Sequence, residues 1–377
     1  MKCIDTLSEK ELKGKRVLLR SDFNVPLNAQ GEVANSFRVQ RGWATVRYLS
    51  ERGARVIAVS HLGRSEESLA PVARALKRFG PIVFVPDIVG AVAQDASHAM
   101  KDGEIALLEN LRQDPRETEN DEGFARELAS LAEIYVDDAF AAAHRAHASV
   151  VGVPKFLPHY AGLLMRDEIE TLKEARKPAS PSFAILGGAK FETKAPLIKS
   201  LLANYSNLFI TGALANDVFK AEGYEVGVSL ISKELPDAEI LKNPRFVAPV
   251  DVTVERPDKQ ARVKKQTEVL SDEKIVDIGP DSVAAIAPMI TGAKYILWNG
   301  PTGLYEAGYN AYSHAIADLI AKAVEKGAKC VIGGGDTIAA IQGGGVREEQ
   351  LGFLSTGGGA MLEYLLKGTL PGIDALQ

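Results

Sequence analysis

Short apolar runs alternate with amphipathic stretches along almost the whole chain. In the first half, five runs read as strands: Arg16-Val17-Leu18-Leu19, Arg55-Val56-Ile57-Ala58-Val59, Ile82-Val83-Phe84-Val85, Ile105-Ala106-Leu107-Leu108 and Ile134-Tyr135-Val136. The second half offers another five: Phe183 to Leu186, Leu208-Phe209-Ile210, Val250-Asp251-Val252-Thr253-Val254, Tyr295-Ile296-Leu297-Trp298 and Cys330-Val331-Ile332. Strands that alternate with helical patterns predict an α/β fold with largely parallel sheets. Two comparable sets predict two doubly wound lobes, although no sequence repeat relates them. Between the sets, Tyr160 to Arg176 is a helical pattern of alternating charge, closed by Lys177-Pro178-Ala179-Ser180-Pro181, where proline stops a helix. It reads as an interdomain helix. The expected organisation is two doubly wound lobes with mainly parallel sheets, at 1–159 and 179–367, joined by an interdomain helix at 160–178.

Composition narrows the class. A length of 377 residues exceeds what one core usually serves, and 46% hydrophobic with 25% charged residues is ordinary for a soluble globular protein. The net charge of −5 argues against a general nucleic-acid partner, but leaves room for a local arginine cluster serving a small anion. Cys3 and Cys330 are far apart, lack metal-ligand spacing, and read as free thiols of a reducing compartment. The start, Met1-Lys2-Cys3-Ile4-Asp5, has no apolar signal segment, and no apolar run reaches spanning length. A cytoplasmic protein without a membrane partner is expected.

In open parallel sheets, ligands bind beyond the carboxyl ends of strands, and the unusual residues gather there. The first strand is followed by Arg20-Ser21-Asp22-Phe23-Asn24-Val25-Pro26, the second by Ser60-His61-Leu62-Gly63-Arg64. The fourth leads to Glu109-Asn110-Leu111-Arg112. The fifth leads through Asp137-Asp138-Ala139-Phe140 to Ala143-His144-Arg145-Ala146-His147. Arginine grips carboxylate or phosphate oxygens in bidentate fashion, so several at strand ends predict an anion site. His144 and His147 either donate to that anion or pack; zinc would need further ligands. Asp137 and Asp138 point to opposite faces as strand neighbours, so at least one has a structural role.

The second half carries glycines instead. Leu186-Gly187-Gly188-Ala189-Lys190-Phe191-Glu192-Thr193-Lys194 joins a strand to a helix, where close backbone amides, a helix N-terminus and two lysines suit phosphate. No Walker A pattern occurs. Asn299-Gly300-Pro301-Thr302-Gly303-Leu304-Tyr305-Glu306, Gly333-Gly334-Gly335-Asp336-Thr337 and Ser355-Thr356-Gly357-Gly358-Gly359-Ala360 follow other strands or open helices. Each alone is an ordinary turn; together they predict a polyphosphate site, with Asp336 suited to magnesium. An anion site in one lobe and a nucleotide site in the other suit phosphoryl transfer completed by domain closure, which excludes water.

At these motifs the chain closely resembles the phosphoglycerate kinase family, in the family's order and over nearly the whole length. The matching stretches are Ser21 to Pro26, Ser60 to Arg64, Leu108 to Arg112, Ala143 to Ser149, Leu186 to Lys190, Trp298 to Pro301, Gly333 to Thr337 and Ser355 to Ala360. The resemblance implies a two-lobed kinase that moves a phosphoryl group reversibly from 1,3-bisphosphoglycerate to ADP, giving 3-phosphoglycerate and ATP with Mg²⁺, and that works as a monomer. It implies that Asp22, Phe23, Asn24, Arg38, His61, Leu62, Gly63, Arg64, Arg112 and Arg145 bind the phosphoglycerate. Lys194, Glu306, Gly334, Gly335, Asp336 and Thr337 would bind the nucleotide, with Asp336 also meeting the metal through it. Arg38, Lys190, Lys194 and the helix start at Gly358 would stabilise the transferring group. The last segment, 368–377, is expected to fold back onto the first lobe.

The chain departs from the family's common pattern at Ala141, in the bulky Phe191-Glu192-Thr193, at Ala213 within Thr211-Gly212-Ala213-Leu214-Ala215-Asn216, and at Ile275. It also looks trimmed after Arg64. None of these removes a charge assigned to chemistry, though they bear on nucleotide affinity and base preference. Rival readings are a kinase of the same build for another acidic phosphorylated metabolite and a non-catalytic nucleotide-binding relative. The latter should have lost Lys194, Asp336 or Arg38. A dinucleotide-dependent dehydrogenase should carry G-x-G-x-x-G at a first strand-to-helix turn, and none is found there.

Overall fold

The computed structural model describes residues 1–63 and 65–377, and the chain divides into two compact units. Unit 1 is Met1–Glu170 with Thr369–Gln377; unit 2 is Thr171–Gly368. The division falls inside the helix Leu163–Arg176. Its buried residues Met165, Ile169, Leu172 and Ala175 recur at helical spacing, and of the charged pattern read from sequence Glu170, Lys173 and Glu174 are exposed while Glu168 is buried.

Unit 1 is built on β1 (Arg16–Arg20), β2 (Arg55–Val59), β3 (Val83–Val85), β4 (Ile105–Leu108), β5 (Ile134–Asp137) and β6 (His159–Ala161). They form one parallel sheet in the order β3-β4-β2-β1-β5-β6. Central β1 explains why a charge can be carried inward. Val17, Leu18 and Leu19 are wholly buried, each contributing roughly 1.5–3 kcal/mol, and the strand delivers Arg20 to its carboxyl end. The expected helix start at Tyr160 is corrected: Tyr160 and Ala161 extend the sheet as β6, paired with Val136 and Asp137, and the helix begins at Leu163. The Ala161 amide donates to the Lys2 carbonyl, which keeps this edge extended. The terminal segment packs on unit 1, where the Gly372 amide donates to the Ala143 carbonyl at 2.8 Å.

Unit 2 begins with β7 (Ser182–Leu186), β8 (Asn207–Ile210) and β9 (Phe246–Val247), followed by β10 (Asp251–Glu255), β11 (Ala261–Lys265) and β12 (Lys274–Ile278), and ends with β13 (Tyr295–Asn299), β14 (Lys329–Gly333) and β15 (Phe353–Ser355). Six make a parallel sheet, β15-β14-β13-β7-β8-β9. The run at Val250–Val254 does not join it. As β10 it is the middle of a separate antiparallel sheet, β11-β10-β12. A short turn closed by Arg256 N–H on Gln260 O joins β10 to β11, and a hairpin of that length enforces antiparallel pairing. Both cysteines are buried and free. Among the described residues no helix is long and apolar enough to cross a membrane.

Where β7 and β13 end side by side, their loops touch backbone to backbone. A Cβ on Gly187 would lie 2.5 Å from the Pro301 carbonyl oxygen, and one on Gly300, whose φ is +93°, would lie 2.5 Å from the Gly187 carbonyl carbon. Neither neighbour is a flexible side chain that can yield. Gly187→Ala is therefore expected to destabilise the protein by about 2 kcal/mol or more, read as a lower midpoint in urea unfolding; an unchanged midpoint would show that the loops separate freely.

Candidate active site

In unit 1 the loops after β1, β4 and β5, with the first turn of the helix Phe37–Glu51, bring Arg20, Arg38, Arg112 and Arg145 around His61 at the end of β2. Arg20 is fully buried. Its Nε donates to Ser149 Oγ at 3.0 Å, one terminal nitrogen donates to the Ser21 carbonyl, and the other lies 3.1 Å from His61 Nδ1. A guanidinium only donates, so His61 Nδ1 accepts and the ring proton sits on Nε2. Burial, then Arg20, Arg112, Arg145 and Arg38, hold His61 well below its ordinary titration range. It is a neutral imidazole, and the 4.0 Å approach of Nδ1 to Asp22 Oδ1 is not an ion pair. Burial, followed by Arg145, Arg20, Arg112 and His144, likewise lowers His147 to about 4. Glu117, fully buried and pushed upward by that burial, accepts from Ser149 Oγ at 2.6 Å and the Ser149 amide at 2.9 Å.

Arg38 enters from the first turn of the helix Phe37–Glu51. Its Nη1 lies 3.3 Å from Asp22 Oδ2 and donates to the Asn24 carbonyl at 3.0 Å. Asn24 Oδ1 accepts from the Gly63 amide at 2.9 Å, and Arg112 donates to the Gly63 carbonyl. Arg145 Nε donates to His144 Nε2 at 3.2 Å. Phe23 and Leu62 behave differently. Both side chains belong to the core, with the Leu62 amide and carbonyl engaged by the Asn110 side chain and the Phe23 amide by Ser60 Oγ. Both side chains set the loops in place. Arg64 lies outside the described residues. Asp137 and Asp138 are both buried and raised to about 7 by that burial; Asp137 accepts from the Ala139 amide and Asp138 from the Met165 amide, so both serve the fold.

Arg20 and Ser149 lie within motifs read from the sequence but received no individual role there, and Glu117 was missed. Glu117 and Ser149 are 32 residues apart, and nothing local links them.

In unit 2 the glycine loops surround a cavity of ≈ 400 Å³, a common size for small-ligand sites. Ala213, Phe219, Leu230 and Ile275 give it apolar walls suited to a base, while Glu306 and Asp336 add carboxylates. Lys194 Nζ donates to the Gly187 carbonyl at 2.6 Å, and burial lowers it to about 8 against the upward pull of Asp336. Asp336 Oδ1 accepts from the Tyr305 hydroxyl at 3.1 Å. Gly334, at φ +97°, precedes the helix Gly335–Ile341. Gly357 precedes the helix Gly358–Lys367, and a Cβ on Gly358 would come within 3.3 Å of Gly334 Cα, so the two helix starts converge. Thr337 is buried, and its hydroxyl donates to the Gly333 carbonyl and accepts from the Gly300 amide, so it braces two loops. Lys190 is exposed and left-handed, at φ 66° and ψ 73°, a conformation costing a non-glycine residue about 1–2 kcal/mol.

The family model described as phosphoglycerate kinase matches residues 7–368. A phosphoglycerate kinase of Moorella thermoacetica is 43% identical, over 98% of this chain and 98% of the relative; one from Thermomicrobium roseum is 41% identical, over 99% of each. The solved structure of phosphoglycerate kinase from Coxiella burnetii aligns with a TM-score of 0.81 at 36% identity, covering 99% of this chain and 98% of that one. That from Pyrococcus horikoshii aligns at 0.88 and 28% identity, covering 100% and 98%.

The lowered Lys194 ammonium makes a pH prediction. It is charged below about pH 8 and neutral above, so affinity for a polyphosphate such as ADP should fall as pH rises through that value. Lys194→Arg, which stays protonated, should remove the fall. Calorimetric titration of ADP between pH 7 and 9.5 measures it; equal pH profiles for both proteins would refute the role of this charge.

Proposed function

The chain belongs to the phosphoglycerate kinase family, and from that premise we propose a division of labour between its two units. The reaction is the reversible transfer of a phosphoryl group from 1,3-bisphosphoglycerate to ADP, giving 3-phosphoglycerate and ATP. Unit 1 takes the phosphoglycerate. The observation that carries this is the convergence of Arg20, Arg38, Arg112 and Arg145 on a neutral, buried His61, a field that calls for an anion. Arg112, Arg145 and Arg64 bind its phosphate, and His61 donates from Nε2. Asp22 and the Asn24 carbonyl aim Arg38. Asn24 holds the Gly63 loop, with Phe23 and Leu62 anchoring it from the core.

Unit 2 takes the nucleotide. The base enters the apolar cavity, Glu306 meets the ribose side, and Gly334, Gly335 and the Thr337 backbone receive the phosphates at a helix start. Asp336, a single carboxylate beside that helix start and near the Lys194 charge, fits Mg²⁺ shared with phosphate oxygens. When bound, the ion neutralises charge on the nucleotide phosphates.

The nucleophile is an ADP oxygen in one direction and an ionised carboxylate in the other. Neither needs a general base, so catalysis rests on positioning and on charge. Arg38, Lys190, Lys194 and the amide at Gly358 stabilise the transferring group. In-line transfer calls for domain closure, which keeps water from taking the phosphoryl group. The working form we propose is a cytoplasmic monomer, as the resemblance to the two-lobed kinases implies. Arg38→Ala and Lys194→Ala should each lower kcat on the order of a hundredfold or more, measured with ATP, Mg²⁺ and 3-phosphoglycerate in a coupled assay. Arg38→Ala should retain ADP binding. Wild-type turnover in either variant would overturn the assignment.

A further inference from the structure

The loop that carries Lys190 is held by a hydrogen-bond chain that starts at a buried carboxylate. Asp217 is fully buried on the helix Ala213–Ala221, among Leu214, Ala215, Val218 and Phe219. A carboxylate in that setting needs its oxygens satisfied. One residue satisfies both: the Ser232 amide donates to Oδ1 at 2.7 Å, and the Ser232 hydroxyl donates to Oδ2 at 2.8 Å. Ser232 Oγ in turn accepts the Phe191 amide at 2.8 Å. Donation toward a carboxylate makes that oxygen a better acceptor.

Phe191 opens the helix Phe191–Asn204 directly after Lys190. The first amides of a helix are ordinarily capped by a short polar side chain just before them. Lysine has no acceptor, and Lys190 makes no such cap. Ser232 supplies the acceptor from 41 residues away. On the other flank, the Lys190 carbonyl accepts from the Thr193 amide at 3.1 Å and from Thr193 Oγ1 at 2.8 Å. The backbone of Lys190 is thus fixed on both sides in a conformation that glycine would adopt without strain. Its side chain is exposed, so core packing gives no reason for a lysine there. Strain that its surroundings over-determine marks a residue whose geometry is in use.

We infer that Asp217 and Ser232 are positioning residues for Lys190, holding its backbone left-handed so that the ammonium is already in place for phosphoryl transfer. This rests on the proposed role of Lys190 in stabilising the transferring group. Without the Ser232 hydroxyl, the Phe191 amide loses its acceptor, Lys190 relaxes to negative φ, and the side chain swings with the peptide.

The test is a double-mutant cycle on the full chain with ATP, Mg²⁺ and 3-phosphoglycerate, with melting temperatures followed in parallel. Ser232→Ala should lower kcat about tenfold or more while leaving KM for 3-phosphoglycerate unchanged. Ser232→Thr, which keeps the hydroxyl, should restore most of the rate. In a Lys190→Ala background, Ser232→Ala should cost nothing further, because nothing remains to be positioned. An equal loss in both backgrounds, a loss that follows the unfolded fraction, or an unchanged kcat in Ser232→Ala overturns the inference alone. An unchanged kcat in Lys190→Ala instead overturns the role of Lys190, and the inference with it.

Discussion

Like charges confined around one buried imidazole are the constraint on which the first unit depends. Arg20, Arg38, Arg112 and Arg145 all act on His61, and Arg145 and Arg20 also work against Arg112. Such crowding opposes folding, because buried charge must recover its lost hydration from partners. Glu117 and Asp22 recover part of it, and the hydrogen bonds of Ser149, Ser21, Asn24 and Gly63 recover more. The remaining demand is for an anion. Placing Arg20 at the end of a strand whose other residues are apolar makes this tolerable, since the sheet supplies the stability that the site consumes. The same field settles the chemistry of His61. Held neutral, with Nδ1 committed to Arg20, it has one hydrogen to offer and one direction in which to offer it.

The second unit solves a related problem with little formal charge. Its loops pack backbone against backbone, and at Gly187 and Gly300 a single Cβ has no room. Its helix starts converge at Gly334 and Gly358, and the cavity beside them has apolar walls. The mobile charges are few and held: Lys194 on the Gly187 carbonyl, Lys190 on a backbone fixed from both flanks. Preorganised dipoles need no reorientation as charge moves in the transition state, which is how such a site lowers a barrier without acid or base.

Much of this was legible in the chain, for identifiable reasons. Most strands here are buried on both faces and appear as apolar runs, and all ten runs read from the sequence are strands, the partly exposed edge strand β3 included. The glycine and arginine motifs at their ends marked the candidate site because parallel sheets present those ends together. Pairing was less legible. The Val250–Val254 run looks like any other buried strand, yet it pairs with Ala261–Lys265, a largely exposed strand that hydrophobicity did not mark, and with the short Lys274–Ile278, which the strand pattern passed over although Val276 and Ile278 are buried. Tyr160 was hidden inside a helical pattern because a three-residue edge strand is too short to show a period of its own. Within motifs, residue type did not reveal which way a side chain faces: Phe23 and Leu62 serve the core, and Thr337 braces two loops. Groups that act on other groups, such as Arg20 through His61 or Asp217 through Ser232, are joined only by the fold.

On the proposed assignment, 3-phosphoglycerate relieves an arginine field that unit 1 keeps at a cost to the fold. The measurement to make is thermal unfolding at low ionic strength, with and without 3-phosphoglycerate, of the wild type and of Arg112→Met. 3-Phosphoglycerate should raise the melting temperature of the wild type. Arg112→Met should melt no lower than the free wild type, but gain little from the ligand. A wild type indifferent to 3-phosphoglycerate, or a variant that loses stability while still responding fully to it, would show that the field serves some other end.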